Sequence, residues 1–127
     1  KQSYRLHHGS WWVPLRAFWG QLEIVVSNPP YIPRPLIEML DPVVRDHEPL
    51  SALVGGEDGL EAIRALLIDA PCALAPGGVL FLEHHHDQSE SVQDLMREAG
   101  LVNVSAANDL EGVARFAQGQ RAIASAL

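Results

Sequence analysis

Leu22-Glu23-Ile24-Val25-Val26-Ser27 runs straight into Asn28-Pro29-Pro30-Tyr31. The first six residues are a β-branched run with no helical period. Such a run suits a strand buried on both faces, as in a parallel sheet. Proline has no N–H to give to a central ladder, so the strand must end at Asn28. In open α/β sheets, ligands lie beyond the carboxyl ends of the strands. The tetrapeptide therefore falls where a ligand is expected.

Toward the C-terminus, Pro33 and Pro35 delay helix until about Leu36, and Ile37, Met39 and Leu40 offer one turn before Asp41-Pro42. Gly55-Gly56-Glu57-Asp58-Gly59 predicts a turn in which Asp58 caps the next helix. Leu60, Ile63, Leu67, Ala70 and Leu74 then recur at helical spacing. Pro71 predicts a kink near Leu67 or a fresh turn, and Pro76-Gly77-Gly78 predicts the stop. Residues 79–82 form a second short apolar strand ending at Glu83. Asp87 with Glu90 reads as a capping box. Val92, Leu95, Met96 and Ala99 share one face, and Gly100 ends that helix. Residues 102–106 and 113–118 read as strands joined by a short polar turn, hence antiparallel.

Toward the N-terminus, residues 4–8 alternate weakly and predict a short strand. Residues 11–20 hold Trp11, Trp12, Trp19, Phe18 and Pro14 and predict a loop packed over its neighbours. The whole order points to an α/β fold, a mostly parallel sheet with a C-terminal antiparallel strand pair.

The chain of 127 residues suits one domain. Its net charge is −7, with a single lysine and scattered arginines. No basic stripe marks it as a binder of nucleic acid backbones. No apolar run approaches the roughly 18 residues of a membrane helix. The single Cys72 cannot close an internal disulfide, and its surroundings read as a buried helix or loop. A reducing cytoplasm is the expected location. The chain opens within a strand-like segment rather than at Met, which suggests part of a longer enzyme.

The tetrapeptide carries specific chemistry. Asn28 offers an amide oxygen acceptor, and Pro29 offers a carbonyl. Two prolines in series fix φ and hold both acceptors still. Tyr31 adds a flat ring for stacking. Two fixed acceptors and a ring fit a planar –NH2, whose delocalised lone pair makes it a weak nucleophile. Accepting its hydrogens raises its electron density and aims the lone pair at an electrophile. This is catalysis by positioning and preorganised dipoles. A cofactor methyl sulfonium is the matching electrophile. No strong base is required, because the proton can leave after alkylation. The plain alternative is an Asn-Pro turn after a strand; the apolar run before it and Tyr31 after it favour the functional reading.

Other features weigh less. His84-His85-His86-Asp87 invites a metal, since imidazoles bind zinc. Adjacent histidines diverge, however, and no second Cys/His set has metal spacing, so a strand-to-helix turn is expected. Glu48 and Glu83 are carboxylates that the chemistry above does not need. Trp12, Phe18 and Trp19 read as packing. Arg115 either supports a loop or meets an acidic face.

Ile24 to Ile32, read with Asn28-Pro29-Pro30-Tyr31 at its centre, resembles the glutamine methyltransferases that modify peptide chain release factors, the HemK/PrmC family. The similarity continues through His47-Glu48-Pro49-Leu50-Ser51-Ala52-Leu53 and Gly55-Gly56-Glu57-Asp58-Gly59-Leu60. It runs on from Pro76-Gly77-Gly78 to Glu83 and, weakly, to Gly112-Val113-Ala114-Arg115. The tetrapeptide alone is shared with adenine-N6 DNA methyltransferases; the three blocks together are more specific.

The resemblance implies a partial Rossmann-like class I methyltransferase fold, with residues 1–127 as the C-terminal portion of one catalytic domain. It implies S-adenosyl-L-methionine as cofactor, and the glutamine of the Gly-Gly-Gln loop of a release factor as substrate. It assigns Asn28, Pro29, Pro30 and Tyr31 to the substrate, with Asn28, Pro29 and Tyr31 catalytic. It assigns Trp11 and Asn28 to the cofactor, Trp11 flanking the adenine. Many relatives carry Asp where Ser10 stands. The family's glycine-rich cofactor loop and its ribose-binding acid would precede Lys1. Residues 1–127 alone are then expected to hold half a pocket, to bind the cofactor weakly and to be inactive. The strand at 22–27 would have a bare edge and tend to self-associate. Alternatives are a glutamine enzyme acting on a ribosomal protein, an adenine-N6 nucleic acid enzyme, and a catalytically silent fragment. Neither direct nucleic acid binding nor a membrane is expected.

Overall fold

The computed structural model describes residues 3–39, 49 and 52–123. Strand β1 (Leu22–Ser27) is followed by helix α1 (Glu61–Ala73) and strand β2 (Leu74–Glu83). Helix α2 (Ser89–Glu98) and strands β3 (Val102–Asn108) and β4 (Ala114–Gln120) complete the order. The sheet order is β1-β2-β4-β3. β1 and β2 run parallel, and β4 lies antiparallel to both β2 and β3. Three of the four strands thus share one direction. β4 is reversed because only a short turn joins it to β3. This matches the predicted α/β sheet with its antiparallel C-terminal pair.

The core lies on one side of the sheet. Ile63, Leu66, Leu67 and Ala70 of α1 meet Leu80 and Leu82 of β2 and Val92 and Met96 of α2. From Gly78 onward, alternation along β2 sends its even-numbered residues to the helices. Both α1 and α2 pack on that side. The expectation that β1 is buried on both faces is therefore wrong: Val25 packs on the core, while Ile24 and Val26 are 70% and 77% exposed. β1 is also an edge of the sheet.

Other local expectations are corrected too. Residues 4–8 form no strand, because they meet no ladder among the described residues and are exposed. Within the expected loop at 11–20, Val13–Phe18 winds into a 3-10 helix with Pro14 in its first turn. Trp12 beside it is buried and donates its indole N–H to the Leu66 carbonyl at 2.8 Å. Trp19 in turn donates to the Trp12 carbonyl at 3.0 Å. A second 3-10 turn covers Arg34–Met39. Pro71 stays inside α1 near its end, where few further hydrogen bonds remain to be lost.

Pro76-Gly77-Gly78 does not stop a helix but bulges inside β2, between the pairs Leu22–Leu74 and Ile24–Val79. Gly77 takes φ +80°, and a Cβ on Gly78 would stand 2.6 Å from the Leu22 carbonyl oxygen. Glycines there let β1 approach. The capping box fails as well. Asp87 turns to the His85 Nδ1 at 2.6 Å, and α2 begins after Gln88 with no side-chain cap bond. Cys72 is exposed on α1 rather than buried. Arg115 supports a loop: it donates to Asp109 at 3.0 Å, while Asp109 accepts the Glu111 and Val113 N–H groups of the β3–β4 turn. The expectations at Leu40, Asp41-Pro42 and Glu48 lie outside the described residues. No described helix is long and apolar enough to cross a membrane.

Candidate active site

Parallel pairing sets Ser27 of β1 beside Leu82 of β2. Their next residues, Asn28 and Glu83, therefore emerge at the same edge of the sheet. Beyond Asn28 the chain runs extended next to residues 52–56. Ile32 N–H donates to the Leu53 carbonyl at 3.0 Å, Gly55 N–H to the Ile32 carbonyl at 3.0 Å, and Arg34 N–H to the Gly56 carbonyl at 2.9 Å. Ile32 and Val54 form a parallel bridge. The tetrapeptide is thus a strand end continued as a fixed ribbon, which suits a group of rigid acceptors.

The glycine turn touches this ribbon directly. A Cβ on Gly55 would stand 2.6 Å from the Pro30 carbonyl oxygen, and one on Gly59 would collide with the Tyr31 carbonyl oxygen. Gly59 also takes φ +78°, a left-handed conformation that favours glycine. Asp58 accepts the Leu60 N–H at 3.0 Å and Arg64 at 2.5 Å. Both interactions hold its carboxyl below the usual range, the Arg64 hydrogen bond most strongly. It holds the turn but does not cap the helix as expected: it lies two residues before the cap position, Leu60, and α1 has no side-chain cap bond.

Tyr31 is held by its hydroxyl, which donates to Glu83 Oε2 at 2.8 Å. Burial, then the Glu83 hydrogen bond and its negative charge, push the phenol up to about 12, against an opposing effect of Arg115. At neutral pH the ring is therefore an uncharged stacking surface and not a phenolate base. Its carbonyl accepts from Gln88 Nε2 at 3.1 Å.

Two cavities flank the ribbon. Asn28, Pro29, Pro30 and Tyr31 line one of about 170 Å³ with Ile32 and Leu53. Asn28 is exposed and Pro29 is buried. Trp11, Pro30, Gly55 and Gly56 line the other, of about 400 Å³. Pro30 is the wall between them. The four tetrapeptide residues are brought together as the sequence suggests, whereas Trp11 and Asn28 face different cavities. Trp11 is 45% exposed and has φ 49°. That backbone is uncommon for a bulky residue, and strain of this kind gathers at functional sites.

The histidine run borders the same edge. His84 is fully buried, with Nδ1 2.8 Å from the His85 carbonyl. A proton on Nδ1 fits that contact, which leaves Nε2 without a hydrogen-bond partner. His85 lies 6.4 Å from the Tyr31 ring, centroid to centroid, and His86 4.3 Å from His85. Among the described residues no three metal-binding side chains cluster.

Sequence reasoning discounted Glu83 and missed Gln88. Glu83 had a signal in its place at a strand end. Gln88 had none, because the carbonyls that its Nε2 reaches are 30 and 57 residues away.

The chain is 52% identical over 111 residues to a release factor glutamine methyltransferase of Prochlorococcus marinus, covering 87% of this chain and 38% of that protein. It is 42% identical over 113 residues to the protein of the same name in Synechocystis, covering 88% and 38%. The chain thus spans well under half the length of these relatives. Among solved structures, a candidate DNA modification methylase of Thermus thermophilus superposes with a TM-score of 0.57 at 17% identity, over 98% of this chain and 56% of that one. At that identity the likeness shows the fold alone. No protein-family model matches the chain.

Proposed function

The chain is a sequence relative of the release factor glutamine methyltransferases, and from that premise we propose that residues 1–127 form the C-terminal portion of a catalytic domain that methylates a glutamine side-chain amide. The substrate is the glutamine of the Gly-Gly-Gln loop of a peptide chain release factor, and the setting is the cytoplasm. One observation carries this reading. Asn28-Pro29-Pro30-Tyr31 leaves the paired carboxyl ends of two parallel strands, lines an open cavity and has its ring tied to Glu83.

The Asn28 side-chain oxygen and the Pro29 carbonyl accept the two amide hydrogens and hold the nitrogen in place. The neutral Tyr31 ring packs on the planar amide, and Glu83 keeps that ring from turning away. As charge develops on the nitrogen, the two acceptors stabilise it without having to reorganise. The proton can leave toward water, since Asn28 is exposed.

The methyl donor is S-adenosyl-L-methionine, which supplies an electrophilic methyl group on a sulfonium. The residues present fit part of it. The half-exposed Trp11 indole offers a stacking face in a cavity that Gly55 and Gly56 also line, and Asn28 lines the neighbouring cavity that shares Pro30. The absence of a basic stripe favours a protein substrate over a nucleic acid.

The test joins this chain to the N-terminal portion of the Prochlorococcus relative and supplies a tritiated methyl donor with either release factor or adenine-bearing DNA. Label should appear on the release-factor glutamine. Asn28→Ala should lower transfer by about a hundredfold or more, as loss of one preorganised polar group typically does. Label on adenine instead, or undiminished transfer by the variant, overturns the reading.

A further inference from the structure

Gln88 precedes α2, where a side chain would ordinarily fold back to cap the helix. It makes no such bond. It is buried, 5% exposed, and its amide points away from its own helix toward the tetrapeptide. Nε2 donates to the Tyr31 carbonyl at 3.1 Å and to the Asp58 carbonyl at 3.4 Å, while Oε1 accepts the His85 N–H at 2.7 Å. Only this orientation satisfies all three contacts; the flipped amide would oppose two carbonyls with an oxygen and an N–H with an N–H. The side chain therefore ties together the ribbon after β1, the glycine turn and the segment leaving β2. Gly59 has no room for a Cβ partly because Gln88 Nε2 would stand 2.5 Å from it.

We propose that Gln88 is a positioning residue of the methyl-transfer site: its amide fixes the Tyr31 backbone against the glycine turn, so that the two cavities on either side of Pro30 keep one geometry. This rests on the proposed function for its consequence but not for its structural content. The acceptor groups of Asn28 and Pro29 lie three and two residues from the clamped carbonyl. Freeing it lets them drift relative to Trp11, and a misplacement of about 1 Å is enough to cost roughly a hundredfold in rate. Each side chain that binds a ligand would remain present, so the effect falls on turnover rather than on affinity.

The experiment uses the 127-residue chain labelled with 13C and 15N, as wild type, Gln88→Leu and Gln88→Glu. In Gln88→Leu the far-ultraviolet circular dichroism should persist, the Tyr31 carbonyl 13C signal should move upfield, and amide exchange at Ile32 and Gly55 should quicken about tenfold. Gln88→Glu should behave like Gln88→Leu at neutral pH, where a carboxylate faces two carbonyls. It should recover toward wild type on acidification, as the protonated carboxyl regains a donor; the wild type over the same pH range controls for other carboxylates. Should Gln88→Leu fail to fold, the Gln88→Glu pH profile decides. Unchanged Tyr31 and exchange signals in Gln88→Leu, or a Gln88→Glu profile that parallels wild type, overturn the proposal. In the enzyme completed with the Prochlorococcus N-terminal portion, kcat of Gln88→Leu should fall about a hundredfold with KM for the methyl donor nearly unchanged. A completed wild type that transfers no methyl group would sink the functional reading alone and leave the clamp standing.

Discussion

The Tyr31 hydroxyl donates to Glu83 Oε2 at 2.8 Å, joining the ribbon beyond β1 to the last residue of β2. Parallel pairing makes this contact available, because it brings both strands out at the same edge. Glu83 thereby holds the tyrosine ring through its hydroxyl. A carboxylate that accepts a phenol proton also resists ionisation of that phenol, which helps to set the raised pKa.

The first prediction follows from that pKa of about 12. An unfolded tyrosine titrates near 10. Between those values the folded chain keeps a proton that the unfolded chain has lost. The Tyr31 contribution to stability is therefore complete below about pH 10 and is lost as pH rises toward 12. Glu83→Ala should lower the Tyr31 titration followed by near-ultraviolet absorbance, but not fully to 10, because burial is the larger cause. Tyr31→Phe should flatten the decline of stability over this alkaline window. A Tyr31 titration unmoved by Glu83→Ala would show that the hydrogen bond does not persist in solution.

A second prediction separates two reasons for glycine. Gly59 and Gly112 both have positive φ, +78° and +82°, but only Gly59 has neighbours in the way of a Cβ. Gly112→Ala should cost about 1 kcal/mol from backbone strain alone. Gly59→Ala should cost more and should also disturb the site, because the methyl group meets the Tyr31 carbonyl and Gln88. Denaturant unfolding of the two variants measures the difference. Equal losses would remove the argument that the glycine turn is moulded to the tetrapeptide.

Much of this arrangement was legible in the sequence, for reasons that particular residues show. Asn28-Pro29 marked the end of β1 because proline chemistry is local. Val92, Leu95, Met96 and Ala99 marked one face of α2 because helical periodicity is local too. The burial of β1 was misread: a β-branched run looks the same whether one face or both are covered, and Ile24 and Val26 differ from Val25 only in what lies opposite. Pro76-Gly77-Gly78 was misread as a stop because its role is to let β1 come close, a relation across 50 or more residues. The Asp87 cap failed because His85 offered its carboxylate a nearer partner. Similarly, no local pattern could announce Gln88, whose Nε2 bonds to backbone carbonyls 30 and 57 residues away.

The exposed side of β1 yields a third prediction. Ile24 and Val26 present bare apolar side chains, and β1 is also an unpaired edge in the described sheet. An exposed, β-branched edge strand is a template for pairing with another chain. The 127-residue chain should associate in a concentration-dependent way in sedimentation experiments. Val26→Lys should suppress that association while leaving the fold intact, since the side chain at this position points away from the core. A wild type that stays monomeric at high concentration would count against this reading.

Trp12 supports the last prediction, which concerns how the segment bearing Trp11 is held. Trp12 is 3% exposed, and its indole N–H reaches the Leu66 carbonyl across 54 residues of chain. Its own carbonyl accepts the Trp19 indole at 3.0 Å. Trp12→Phe keeps most of the packing and removes the donor, so it should cost about 1 kcal/mol, the net worth of a typical hydrogen bond, plus a smaller loss from the vacated volume. Trp12→Ala should cost roughly 3–5 kcal/mol, as removal of a large buried aromatic does. Trp11→Ala should cost far less stability, because that ring is 45% exposed. The two neighbours thus have separable duties: Trp12 anchors the segment to α1, and Trp11 is left to face the larger cavity. Thermal unfolding of the three variants tests this division. Equal losses in Trp11→Ala and Trp12→Ala would mean that both rings serve packing, and the assignment of Trp11 to a ligand would lose its support.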